Sequence, residues 1–314
     1  MDIGLMVEGQ QDLDWERWLH ILQLAERLGF PSLFRSDHYF INEQRASLET
    51  WTSLAVAARE TSTIRFGPLV APVTFRHPVD VGRMAAQLDL LSGGRFVLGV
   101  GNGWHEPEHT AYGLPFPERG ERSARLGEAI RLMKAMWGPG PVWFDGKHYR
   151  LRDVDVLPKP APGRPWLLVG GSGPQRTLRY VAEFADEWNT PNAPLDAMRE
   201  RIAVLDAHCA AIGRDPATVK KSMMTFALVG PDQAAIERGM AHLPRLAELP
   251  TYAEKRAAAI ERGQIVGGPE EVIDQLGRLA ELGISEVQFQ HLDFHDDAAP
   301  EFLASEIAPR AQAL

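Results

Sequence analysis

Residues 64–100 read IRFGPLVAPVTFRHPVDVGRMAAQLDLLSGGRFVLGV, and the fold is decided there. Ile64-Arg65-Phe66-Gly67-Pro68-Leu69-Val70 is a compact β-type run. Pro78 suits the first position of a helix, where its missing N–H is not needed, and Ala85, Leu88 and Leu91 then recur on one face. Phe96-Val97-Leu98-Gly99-Val100 is a second β-type run. Parallel neighbours need a long crossover between them, usually a helix, and this stretch supplies one.

The same unit recurs along the chain. Ile3-Gly4-Leu5-Met6-Val7 precedes a helix over 15–28, capped by Asp14, carrying Trp18, Leu22, Ala25 and Leu28 at helical spacing and ended by Gly29. Ser32-Leu33-Phe34 and a helix through Leu54 and Ala58 lead into the quoted stretch. Beyond residue 165 come strands at 166–169, 187–189, 219–228 and 286–289, with helices predicted over 174–184, 195–212, 232–262 (broken at Pro244 and Pro250) and 269–282. Eight strands separated by helices fit a closed (β/α)8 TIM barrel, a fold that typically takes about 250 residues. Residues 1–314 read as one such domain, with an insertion at about 102–165. The insertion carries a helix over 121–137 and a hairpin signal, Asp145-Gly146. A doubly wound open sheet is the alternative.

Composition narrows the function. The 314 residues hold 33 Lys and Arg against 42 Asp and Glu, a net charge of −9, with 45% hydrophobic and 24% charged residues. That balance argues against a nucleic-acid or anionic-membrane binder, which needs a basic surface. Cys209 is the sole cysteine, so no intramolecular disulfide and no cysteine-cluster metal site is expected. No basic segment precedes an apolar run at Met1-Asp2, and no apolar stretch approaches the roughly 20 residues that span a bilayer. The expectation is a cytoplasmic enzyme acting on a small molecule.

In a barrel the active site collects residues from the C-terminal ends of the strands. Those positions hold Glu8, Gly9 and Gln10; Arg35, Ser36, Asp37 and His38; Asn102, Gly103 and Trp104; Gly170, Gly171, Ser172 and Gly173; Asn189 and Thr190; and Gln288, Gln290 and His291. Gly170–Gly173 before a helix offers backbone N–H groups and a positive dipole end to an anion, with Arg176 adding charge; a plain tight turn explains the same glycines. Gly99-Val100-Gly101-Asn102-Gly103 lacks the third glycine of a dinucleotide fingerprint, Trp104 standing in its place, but would let a flat ring lie against backbone. His105-Glu106-Pro107-Glu108-His109 matches the zinc-protease pattern in letters, yet Pro107 interrupts the helix that would bring both histidines to one face. His38 is a candidate general acid or base. His291, His295, Asp293, Asp296 and Asp297 read as a solvated acidic loop, and no metal site is assigned.

Ser36-Asp37-His38, Arg76-His77-Pro78, Leu90–Arg95, Leu98–Gly101, Glu121-Arg122, Asp145–Tyr149, Pro158-Lys159-Pro160, Gly170–Gly173, Ala185–Asn189 and Gly267–Val272 follow one another in a known order. That order resembles the bacterial luciferase-like monooxygenase superfamily, over about residues 3–289, and Phe34–His38 with Phe75–Pro78 resembles its coenzyme F420-dependent branch. The resemblance implies a flavin or deazaflavin at the C-terminal face. It places Asp37 and His38 near the reactive ring, Leu69 and Val70 in a third-strand bulge that often includes a non-prolyl cis peptide, Asn102, Gly103 and Trp104 along the ring edge, and Gly170, Gly171, Ser172, Gly173 and Arg176 at the phosphate.

Coenzyme F420 implies hydride transfer, because its deazaflavin has carbon where flavin has N5. His38 would then move the substrate proton, with Glu8 orienting it or binding substrate. FMN is the alternative cofactor, with oxygen chemistry and a partner flavin reductase. The anionic F420 tail calls for a basic rim, for which Arg35, Arg76, Arg176 and Arg179 are candidates. A homodimer is expected by resemblance. A cofactor-free accessory protein and a Schiff-base or metal-dependent barrel are the rivals, and no lysine stands among the strand-end residues to serve the latter.

Overall fold

The computed structural model describes residues 1–41 and 46–314. Its strands are β1 (Asp2–Val7), β2 (Ser32–Arg35), β3 (Arg65–Pro68), β4 (Ala71–Pro72), β5 (Val97–Gly101), β6 (Val142–Asp145), β7 (Arg150–Val154), β8 (Trp166–Gly170), β9 (Glu187–Pro191), β10 (Lys220–Phe226), β11 (Leu228–Val229), β12 (Val266–Gly267) and β13 (Glu286–His291). Nine of them form one sheet in the order β3-β2-β1-β13-β10-β9-β8-β5-β4. The strands of that sheet pair in parallel. β3 and β4 are two halves of one stave, and a parallel bridge between Phe66 and Phe96 closes the ring. The sheet is therefore an eight-stave barrel with helices outside, and the open-sheet alternative falls away.

Local chemistry sets the outer layer. In the helix Trp15–Leu28, Asp14 caps the start by accepting from the Arg17 N–H at 2.8 Å, and Gly29 takes the left-handed conformation at φ 74° that ends it. Trp18, Ile21, Leu22, Leu24 and Ala25 turn inward, giving the helix the apolar stripe a barrel wall requires. The same logic holds for Pro78–Leu91, Leu195–Ala211 and Pro269–Glu281.

Glycines at the closing seam have a packing reason. A Cβ on Gly67 would lie 1.9 Å from the Val97 carbonyl oxygen, and one on Gly99 would lie 2.1 Å from that of Pro68. β3 and β5 thus approach too closely for any side chain there. Past Pro68 the peptide Leu69–Val70 is cis, and the stave resumes as β4. The continuous third strand expected over 64–70 is in fact split at this bulge.

Other departures are local. The helix expected from Pro174 begins at Thr177, a helix Glu106–Ala111 appears in the insertion, and the seventh stave ends at Phe226, after which β11 pairs with β12. The hairpin around Asp145-Gly146 forms as β6 and β7. Among the described residues no helix is long and apolar enough to cross a membrane.

The barrel interior is layered. Met6, Phe34, Leu69, Val97 and Leu168 form a buried apolar plug at mid-height. Toward the N-terminal ends of the strands, the Arg65 guanidinium reaches Glu187 at 3.1 Å and Glu286 at 3.8 Å. There Lys220 and Ser32 also hold Glu286, and Ser222 donates to Glu187 at 2.7 Å. The candidate site lies at the other end.

Candidate active site

His38 follows β2, and its Nδ1 meets the Glu108 carboxylate at 2.8 Å. The other Glu108 oxygen accepts the Tyr39 backbone N–H at 2.9 Å, so the carboxylate is clamped in place. Glu108 is 1% exposed, while His38 retains 14%. Nε2 of His38 makes no hydrogen bond among the described residues. Burial opposes a charge on the imidazole, but the Glu108 hydrogen bond and charge, with those of Glu8 and Asp37, outweigh it and raise the His38 pKa. Trp104 packs edge-on to the ring at 5.5 Å and is itself 65% exposed.

Glu108 belongs to the stretch that resembles a zinc motif. The helix Glu106–Ala111 starts after His105, which leaves that histidine at its N-cap. His109 spends both ring nitrogens, on the His105 carbonyl at 2.8 Å and on Thr74 Oγ1 at 2.7 Å. The second glutamate turns to His38. Sequence reading misses this partner; the available signal is Pro107, which suits the first turn of a helix and with it the direction of Glu108.

Glu8 lies at the end of β1, with Gln10 Nε2 donating to one oxygen at 2.7 Å and Gln290 Nε2 donating to the other. Ser36 links the neighbouring turn, accepting from the Gly9 N–H at 2.9 Å and donating to Gln10 Oε1 at 2.5 Å. Asp37 is held by Arg76 through contacts of 2.6 and 3.2 Å. Arg35 is buried under this turn against Ser53, Leu48 and the Ser36 carbonyl, and burial pushes its pKa down to about 10. Neither arginine is left for a basic rim.

Leu69 and Val70 sit between the two glycine-bearing strand ends. A Cβ on Gly101 would lie 2.6 Å from Val70 Cγ2, and one on Gly170 would lie 2.8 Å from its Cγ1. The bulge falls where the family resemblance put it, and these glycines make room for it, a role the linear sequence does not reveal. Beyond them Gly103 adopts φ 76°, and Asn102 Oδ1 is buried with no partner. Such an orphaned acceptor awaits a donor.

At the far side Gly171 adopts φ 117° and Gly173 lies against the start of the helix Thr177–Phe184. A Cβ on Gly173 would meet Thr177 Oγ1 at 2.9 Å and Arg119 Nη2 at 3.9 Å. Arg119 makes no ion pair or hydrogen bond among the described residues. Arg176 donates to the Gly120 carbonyl, tying the two helix starts together, while Arg179 pairs with Glu183 at 3.3 Å. A glycine turn, a hydroxyl, a helix N-terminus and an unpaired guanidinium make a seat for a phosphate. Ser172 is part of that turn. The seat, the bulge and the orphaned Asn102 oxygen fit a phosphate-bearing flat ring cofactor.

Barrel, bulge and strand-end constellation define a class, and the family described as luciferase-like monooxygenase matches residues 1–286. The chain belongs to that family and is an oxidoreductase. It is 32% identical to the F420-dependent glucose-6-phosphate dehydrogenase of Beutenbergia cavernae, over 92% of this chain and 91% of that one. It is 31% identical to the F420-dependent hydroxymycolic acid dehydrogenase of Mycobacterium tuberculosis, over 74% of this chain but only 64% of that protein's length. An F420-dependent secondary alcohol dehydrogenase, solved with an F420-acetone adduct, superposes with a TM-score of 0.82 at 21% identity, covering 99% and 98% of the two chains. That last likeness speaks for the fold.

Proposed function

We propose that the protein is a coenzyme F420-dependent oxidoreductase that moves a hydride between the deazaflavin and a carbon of a small alcohol or carbonyl compound. The observation that carries this reading is His38: its Nδ1 is fixed on a buried carboxylate, and its Nε2 is unengaged at the mouth of the barrel. F420-dependent relatives above 30% identity support the choice of cofactor.

The chain's own residues then have distinct tasks. Gly170–Gly173, Thr177 and Arg119 would hold the phosphate, with Arg176 bracing the helix start beside them. Leu69 and Val70 would back the ring, and Asn102 Oδ1 would accept a hydrogen bond from its edge. When bound, the deazaflavin supplies the hydride acceptor or donor. With Nδ1–H donated to Glu108, His38 Nε2 carries a lone pair that takes the hydroxyl proton of an alcohol. The resulting imidazolium is stabilised by Glu108, and in reduction the same proton goes to the carbonyl oxygen. Trp104 and the Gln10–Glu8–Gln290 group line the mouth and help exclude water.

Paired fluorescence titrations of the protein with F420 and with FMN test the assignment. Tight binding of F420, followed by its reduction by an alcohol or its oxidation by a carbonyl compound, is the expected outcome. Tight binding of FMN alone would overturn it in favour of reduced-flavin oxygenation with a reductase partner.

A further inference from the structure

The loops after the seventh and eighth staves enclose a cavity of about 250 Å³. Its walls include Phe226, Leu228, Pro231, Leu292 and Phe302. Gln290 also lines it, and the Gln290 side chain donates to Glu8 at the barrel mouth. His291 stands in the wall, 3% exposed, and its Nε2 is buried without a hydrogen-bond partner. Burial pushes the His291 pKa down to about 4, so the imidazole is neutral at neutral pH.

In (β/α)8 enzymes the loops after strands seven and eight frequently seat a phosphate. Here the charge is wrong for one. Asp293, Asp296 and Glu301 line the cavity, against Arg238, which faces Asp296 at 3.9 Å, and His242, which faces Asp293 at 3.5 Å. A neutral imidazole does not offset that acidic excess, whereas its orphaned nitrogen matches one hydroxyl or carbonyl oxygen.

We propose that this cavity is a substrate subsite for an uncharged, mainly apolar group carrying a hydroxyl or carbonyl, and that phosphate-bearing substrates are excluded from this side of the mouth. Its role in turnover rests on the F420-dependent reading; the binding itself does not.

The test uses the full chain with 13C-labelled histidine, with and without F420, and three probes of similar size: cyclohexylmethanol, cyclohexanecarboxylate and cyclohexyl phosphate. The alcohol is expected to move the His291 Cε1 signal, with each anion binding about tenfold weaker or less. His291→Phe weakens the alcohol about fivefold, and Ala299→Phe, which fills the cavity from the helix Ala298–Phe302, weakens it about tenfold. Anions binding as well as the alcohol, an unmoved His291 signal, or undiminished binding to Ala299→Phe would each overturn the proposal. F420 failing to bind while the alcohol still moves His291 would sink the proposed function and leave this binding site standing.

Discussion

The two ends of the barrel are both polar, and they differ in what is left over. At the N-terminal end Glu187, Glu286, Arg65 and Lys220 use their charges on one another, and Trp166 adds an N–H to Glu187 at 3.2 Å while lying under the Arg65 guanidinium. Burial raises the Glu187 pKa and the nearby Glu286 raises it further. For Glu286 burial acts in the same direction, but Lys220, Ser32 and Arg65 outweigh it and hold that carboxyl below its ordinary range. At the C-terminal end the corresponding groups keep spare capacity: His38 Nε2, Asn102 Oδ1 and the Arg119 guanidinium. A saturated network holds a structure in place, whereas a network with unspent donors and acceptors is ready for a ligand.

Substitutions at the two ends should therefore differ in what they damage. His38→Ala should lower turnover by roughly 10²- to 10⁴-fold while changing the dissociation constant of F420 less than about threefold. Steady-state kinetics beside a binding titration read this directly, and unchanged turnover would remove His38 from the chemistry. Glu286→Ala should act on the fold instead. It removes the buried carboxylate shared by Lys220, Arg65 and Ser32, and should cost about 3 kcal/mol in denaturant unfolding, with kcat/KM of the folded fraction close to that of the unaltered protein. A stable but inactive Glu286→Ala protein would mean that the lower network serves catalysis.

A subtler variant sharpens the contrast inside the site. Glu108→Gln should slow turnover about tenfold to hundredfold and move the pH profile. Alcohol oxidation needs neutral His38, so activity rises as pH passes upward through its raised pKa; carbonyl reduction needs the imidazolium and falls over the same interval. Removing the Glu108 charge should displace both limbs to lower pH, and a stationary profile would detach Glu108 from the titration. The smallest effect is expected at the phosphate seat. Arg119→Ala should weaken F420 about fivefold and flatten the salt dependence of binding, leaving kcat in place.

How much of this was legible in the sequence depends on the range of the interaction. The helix Trp15–Leu28 could be read to the residue, because its cap, its stripe and its terminating glycine are all local. The third stave could not be read from its own residues: the family resemblance placed the bulge at Leu69–Val70, but the Gly101 and Gly170 that accommodate it lie far along the chain. His38 stood out by its place after a strand. Its partner Glu108 lies 70 residues on, inside a pattern whose letters point to zinc. Arg35 and Arg76 look like rim cations in a linear reading, yet both are drawn inward by partners that only folding brings near.

The parallel alternation of strands and helices, and the strand ends on which function sits, were set by the sequence, because periodicity and caps act over a few residues; closure into a barrel rather than an open sheet was not. Only the tertiary structure decided which charges cancel and which remain available. Pairing depends on distances of about 3 Å between groups far apart in the chain, and no local pattern encodes those.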